Sequence, residues 1–342
     1  TYKVVQAITQ KYPDFKMPKI LEKQNETGKP FVFNFVDLEI KGPIAYVTLN
    51  RPEAMNALNE TVVAQLARRF EEAEKNPDVK AVVFQGAGKA FVAGADIKYF
   101  VDKIKADQIA DIVEFTRKGH EVFLKIENSD KLTIALLDGL SLGGGSELAL
   151  ACQVIVATPA GSMGFPETGI GIYPGLGGML RMARHVGPEL AKYYVFTGAP
   201  ISAADAQAMG IVTCLVEPAE IDSTITELIS KAKPDKYQLR EMPDKFKPLA
   251  QRCNSENTAR LLAGKLPEGV PQEIAAKTTK IIGYKAPLAI KLANEIIDQQ
   301  VGKSMSEAVE IELGHLTNSF STADALEGLS SVGRKKPEYK GV

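Results

Sequence analysis

The chain has 342 residues, 45% of them hydrophobic, and its 41 lysines and arginines against 42 aspartates and glutamates leave a formal net charge of -1. That length suits one large domain, or a domain with an appendage, around a substantial core. The charge balance excludes a global field for nucleic acid or an anionic membrane and leaves only a local patch open.

Cys152, Cys214 and Cys253 have no CxxC spacing, and His120, His185 and His315 lie far apart, so neither a zinc site nor a disulfide framework is indicated and a reducing compartment is expected. No apolar run reaches the roughly 20 residues of a membrane helix, and the N-terminus lacks the basic-then-apolar order of a signal peptide. A cytoplasmic protein is expected. The start at Thr1, without an initiator methionine, reads as a processed or excised piece.

Residues 31–49, FVFNFVDLEIKGPIAYVTL, read as two β runs broken at Lys41 and Gly42, a hairpin. NETVVAQLARRFEEAEKN follows, with Val63, Leu66, Phe70 and Ala73 at helical spacing and Asn59 as N-cap. KAVVFQGAG, KLTIALLDG and CQVIVATPAG are short apolar strands that end in glycine, separated by helical stretches such as DQIADIVEFTRKGHEVFLKIEN; ISAADAQAMGIVTCLVEP adds a helix and another strand. This alternation predicts an α/β domain with parallel pairing, ending near Glu217.

Residues 230–272 are rich in Lys, Pro and Asp and read as an irregular surface insertion. In the tail, SMSE at 304–307 and STAD at 321–324 both match the capping box of a helix start. Val309, Leu313, Leu316 and Phe320 fall on one face of the first of these helices, a stripe suited to core or to a subunit contact.

Three stretches carry chemistry. SLGGGSELAL, 141–150, sets Gly143, Gly144 and Gly145 between a strand and a helix, where unpaired N–H groups and missing side chains favour a negatively charged oxygen, or where glycine merely permits a tight turn. Glu147 stands on the apolar segment that follows, so it is either a desolvated acid with a raised pKa or an ordinary first-turn glutamate. Glu167 sits in GSMGFPETGIGIYPGLGG, a rigid loop rich in glycine and proline, as a catalytic acid or as a solvated one. KAFVAGADIK, 89–98, again follows a strand with small residues, and an amide from it together with one from the glycine run would form an oxyanion hole.

Other motifs fail. GAGKA at 86–90 lacks the spacer and hydroxyl of a P-loop, GIGIYPG lacks a ribose-binding acid in context, and Ser146 is not in G-x-S-x-G.

NRPEAMNALN at 50–59, FVAGADIK at 91–98, LGGGSELAL at 142–150 and GFPETGIGIYPGLGG at 164–178 resemble the enoyl-CoA hydratase, or crotonase, family, as does the ending DALEGLSSVGRKKPEYKG at 324–341. The resemblance implies an α/β spiral of strand-strand-helix units over 34–229 and a helical C-terminal region at 273–342, while the insertion at 230–272 is longer than a compact family member has. It implies trimers or pairs of trimers and acyl-CoA thioesters as ligands. By motif position, the amides of Ala95 and Gly144 would hold the thioester oxygen, with the CoA chain along Ala95, Asp96, Ile97 and Lys98. Lys98 is either a contact to a CoA phosphate or solvated.

Glu147 and Glu167 align with the two acids of family hydratases, which implies water addition to a trans-2-enoyl-CoA of the crotonyl type, Glu147 activating the water and Glu167 delivering the α-proton. Double-bond isomerisation, thioester hydrolysis and a non-catalytic module binding RNA or protein are the alternatives. How Phe91, Tyr99, Phe100 and their neighbours line the pocket would set acyl length. KYPDFKMPKILEKQNETGKPF, 11–31, is similar to the end of a 3-hydroxyacyl-CoA dehydrogenase, so 1–33 is expected to be the remnant of such a domain in a fusion. No cofactor, NAD included, is expected for the chain itself, because CoA belongs to the substrate.

Overall fold

The expected hairpin forms from β1 (Val36–Lys41) and antiparallel β2 (Ile44–Leu49), with Gly42 in the turn at φ +58°. Alternate residues Ala45, Val47 and Leu49 of β2 are buried, as a half-covered strand requires. The computed structural model describes residues 34–237 and 240–342, so the dehydrogenase-like stretch within 1–33 lies outside the described residues.

Helix α1 (Glu60–Lys75) begins where its cap predicts: Asn59 Oδ1 accepts from the Val62 amide at 3.0 Å. Val63, Leu66, Phe70 and Ala73 are buried on one face, joined by Val62.

From there the chain repeats a strand-strand-helix unit. Strands β3 (Ala81–Gly86) and β4 (Ala90–Ala93) lead into α2 (Ile97–Lys105) and α3 (Ile109–Glu127). Then β5 (Leu132–Leu137) and β6 (Leu140–Leu142) lead into α4 (Gly144–Ala151), and β7 (Val154–Ala157) and β8 (Ser162–Gly164) into α5 (Gly178–Val186) and α6 (Pro188–Thr197). After β9 (Ile201–Ser202), α7 (Ala203–Ala208) and β10 (Cys214–Leu215), helix α8 (Ile221–Ser230) closes this part.

The first strand of each pair enters a six-stranded sheet of order β1-β2-β3-β5-β7-β10, parallel from β2 onward; the second enters a four-stranded sheet of order β4-β6-β8-β9. The chain therefore winds between two sheets, the spiral that the resemblance implied. Its corners are tight: a β-carbon on Gly86, Gly139 or Gly161 would lie 2.1, 2.5 or 2.4 Å from a main-chain oxygen. The inner strands lack polar alternation because both faces are covered, with Val83, Ile134 and Val156 packed together under Ile225 of α8.

The NRPEAMNALN motif braces one corner. Asn56, left-handed at φ +59° and buried, donates Nδ2 to the carbonyls of Ala87, Ala90 and Phe91 at 2.9, 2.8 and 3.2 Å, and its Oδ1 accepts the Arg51 amide at 2.8 Å. An asparagine supplies both the conformation and the donors there.

Two expectations change. Residues 230–272 are not irregular throughout, since α9 (Lys247–Gln251) and α10 (Ser255–Leu262) form within them and Phe246, Cys253 and Leu261 are buried. These apolar residues, scattered among lysines and prolines, find a partner surface that no local pattern announces. The region continues into α11 (Gln272–Ile282), α12 (Pro287–Gln300), α13 (Met305–Gly314), α14 (Leu316–Phe320) and α15 (Ala323–Ser331). SMSE is a true capping box, with Ser304 and Glu307 exchanging bonds. STAD is not: Thr322 caps α15, and Asp324 turns away to accept the amides of Lys340 and Gly341 at 2.7 and 2.9 Å, pinning the tail. Among the described residues no helix is long and apolar enough to cross a membrane.

Candidate active site

Three neighbouring parallel strands of the smaller sheet end side by side, since Ala93 pairs with Leu142 and Leu142 with Gly164. The segments beyond those ends are the three stretches that carry chemistry. β4 delivers Gly94 and Ala95, β6 delivers the glycine run and Glu147 on α4, and β8 delivers Pro166 and Glu167. The Gly143 amide donates to Gly164 O at 2.9 Å, and Ser146 Oγ donates to Ser141 O at 2.9 Å and accepts the Gly164 amide at 3.1 Å, so the serine is a tie between strand ends.

These segments wall a cavity of about 350 Å³. Ala95, Ile97, Gly144, Glu147 and Glu167 line it, together with Phe100, Phe115, Leu316 and Phe320. Among the described residues, neither the Ala95 nor the Gly144 N–H donates to a main-chain carbonyl. A β-carbon on Gly144 would lie 3.9 Å from the Gly94 carbonyl carbon, so the two turns lie side by side. A cavity of about 840 Å³ between α10, α11, α12 and the tail is larger, but no pair of buried carboxyls faces it, so chemistry rather than volume selects the site.

Other expected positions fall outside. Asp96 pairs with Arg51 at 3.0 Å, and Lys98 stands exposed on the first turn of α2; neither lines the cavity. Of the three aromatic residues expected to shape the pocket, Phe100 alone does. Phe91 is buried elsewhere in the core, and Tyr99 donates its hydroxyl to Glu60 at 3.1 Å.

Glu147 is 2% exposed and Glu167 7%. Burial, and next the charge of Glu312, push Glu147 above the usual carboxylate range, against the amides of Gly178 and Leu176, which donate to its Oε1 at 2.9 and 2.7 Å. Glu167 is also raised well above that range, by burial and then by Glu147, and its Oε2 has no hydrogen-bond partner among the described residues. Two buried acids thus face one cavity, and Glu147 Oε1 holds two amides that favour its anion, an asymmetry that acid-base chemistry requires.

Sequence reading missed the amide clamp on Glu147 and the third acid, Glu312. A signal for the latter exists, because Glu312 interrupts the stripe of Val309, Leu313, Leu316 and Phe320 at helical spacing. It also assigned Leu316 and Phe320 to core or subunit contact, whereas both roof the cavity.

Behind the site, fully buried Arg181 donates Nη1 to the Leu176 and Gly177 carbonyls at 3.2 and 3.4 Å and Nη2 to Glu127 at 2.7 Å. Glu127 also takes Lys236 at 2.6 Å and the Tyr237 hydroxyl. Burial alone would raise the Glu127 carboxyl, but the Arg181 and Lys236 charges hold it at about 2, below the ordinary 4.5. Its stabilisation, about 3 kcal/mol, is then full above the ordinary value and is lost as pH falls towards 2. Glu127→Gln is expected to lower the unfolding free energy at pH 7 and by roughly half as much at pH 3. Urea titrations at the two pH values check this, and a gap independent of pH would contradict it.

A family model for enoyl-CoA hydratase/isomerase matches residues 44–340. The chain is 40% identical over 199 residues, 58% of its length, to the short-chain-enoyl-CoA hydratase of Clostridium acetobutylicum, of which 75% is covered. It is 39% identical over 185 residues to the crotonyl-CoA hydratase of Syntrophomonas wolfei, covering 54% of this chain and 70% of that one. Among solved structures, a carnitinyl-CoA dehydratase from Mycobacterium thermoresistibile superposes with a TM-score of 0.76 at 25% identity, covering 90% of this chain and 92% of that one.

Proposed function

The chain belongs to the enoyl-CoA hydratase/isomerase family, and we propose that within it this enzyme adds water to a short trans-2-enoyl-CoA to give a 3-hydroxyacyl-CoA. The observation that carries the reading is the pair of buried carboxyls, Glu147 and Glu167, facing one cavity beside two uncommitted amides. The likeness to a short-chain-enoyl-CoA hydratase and a crotonyl-CoA hydratase supports the substrate class.

In this scheme the thioester oxygen accepts from the Ala95 and Gly144 amides. Glu147 takes a proton from water as the water oxygen bonds to the β-carbon. The π electrons move to the thioester oxygen, and the amides hold the enolate, a contribution of about 3 to 4 kcal/mol per donor. Glu167 gives its proton to the α-carbon as the enolate collapses. One water is added and no redox cofactor enters, since CoA is part of the substrate. The division follows the wiring: two N–H groups favour the Glu147 anion, and the unpartnered Oε2 favours protonated Glu167. The likeness to a short-chain-enoyl-CoA hydratase and a crotonyl-CoA hydratase favours a four-carbon acyl group, which the cavity admits, and a trimer or pair of trimers is the assembly this reading carries.

The test is to add crotonyl-CoA and follow the absorbance of the conjugated thioester. Loss without thiol release is expected. Release of free CoA thiol would replace the reading by hydrolysis, and migration of the double bond without water uptake by isomerisation.

A further inference from the structure

The loop Gly175–Gly178 over Glu147 is gripped by alternate amides. Leu176 and Gly178 donate to Glu147 Oε1, while Gly177 between them donates to Glu312 Oε1 at 2.6 Å. Glu312 is completely buried on α13. Its Oε2 accepts from Gln300 Nε2 at 3.3 Å, and His120 Nε2 lies 3.3 Å from Oε1 without the alignment of a hydrogen bond. Among the described residues no lysine or arginine pairs with it. A buried carboxyl without a cationic partner is costly, and an amide oxygen would accept the Gly177 N–H as well.

We propose that Glu312 is a positioning residue for the reaction: it anchors the Gly177 amide so that the amides on either side converge on Glu147, and it places a further carboxyl behind that acid. The role in turnover rests on the hydratase reading; the anchoring does not. Glu312 is the second cause, after burial, of the raised Glu147 carboxyl. The other groups acting on Glu147 are Glu167 on the turn after β8, Arg181 on α5 and Tyr173, whose hydroxyl donates to Glu312 O at 2.6 Å; His120 on α3 faces Glu312 instead. Two amide bonds and the Arg181 charge favour the Glu147 anion; burial opposes them first, and Glu312 adds to that opposition.

The test uses full-length protein with ¹³C-labelled glutamate, the Glu147 carboxyl resonance being assigned by its loss in Glu147→Gln. In Glu312→Gln, which keeps an acceptor for Gly177, the Glu147 protonation midpoint is expected to fall by about one pH unit. kcat for crotonyl-CoA is expected to fall about tenfold with KM within about twofold. Glu310→Gln, on the same helix but exposed and paired with Arg117, should change neither. A folded Glu312→Gln protein with an unmoved midpoint overturns the proposal. So does a Gly177 amide that exchanges freely with solvent in the wild type, a measurement that needs no variant. A moved midpoint supports it even in a protein that hydrates nothing, in which case the hydratase reading falls instead.

Discussion

Glutamine at either Glu147 or Glu167 is expected to lower kcat for crotonyl-CoA hydration by about 10²- to 10⁴-fold, with KM little changed. The thioester oxygen is held by main-chain amides in the proposed scheme, so binding outlasts the loss of either acid. Each variant lacks one proton transfer: Glu147→Gln cannot take the proton of water, and Glu167→Gln cannot supply the α-proton.

Stability should move the other way. Both carboxyls are raised in the folded chain, so as pH climbs past the ordinary carboxylate value the unfolded chain releases protons that the folded chain keeps, and folding becomes less favourable. A neutral amide removes that penalty at pH 7. Glu167→Gln, whose Oε2 loses no hydrogen bond, is therefore expected to resist urea as well as the wild type or better. Activity collapsing while stability holds would mark an acid kept for chemistry. A variant within about tenfold of wild-type turnover would show that one acid suffices, as in isomerisation.

Gly143→Ala is the second large effect. Gly143 has φ +48° and ψ -119°, and a β-carbon there would sit 2.3 Å from Glu167 Oε1. The methyl must displace the carboxyl that faces the cavity, or the loop must move and release the Gly143 bond to Gly164. A loss in kcat of about 10²-fold, as for a misplaced catalytic group, is expected with a stability loss of about 1 to 3 kcal/mol. Gly42→Ala separates the causes, because Gly42 is also left-handed, at φ +58°, yet has nothing within 4 Å of its β-carbon. That variant should show strain alone, with kcat unchanged. If Gly143→Ala matched Gly42→Ala in turnover, the closeness of Gly143 to Glu167 would carry no function.

Short-range order was legible because its causes are local. Asn59 caps α1 through a bond three residues away, apolar spacing marks the buried face of α1, and glycines end the strands where the chain turns between sheets. Glu147 and Glu167 could be named as acids on unusual backbone. What burial and pairing did to neighbouring residues could not be read in the same way: Asp96 went to Arg51 and Asp324 to the tail amides, and Phe246, Cys253 and Leu261 folded 230–272 onto other helices. Local composition is the same whether such groups meet solvent or a partner.

The residue types that the chemistry needs, and the strand-turn-helix frames that carry them, are written in stretches of about ten residues each. Their meeting is not. It follows from the in-register ends of β4, β6 and β8, from C-terminal helices that lay Leu316 and Phe320 over the cavity, and from Glu312 arriving behind Glu147. Hydrogen bonds between strands and the desolvation of an acid depend on segments far apart in the chain, so their energies exist only once the sheets have formed and water has been driven from between them.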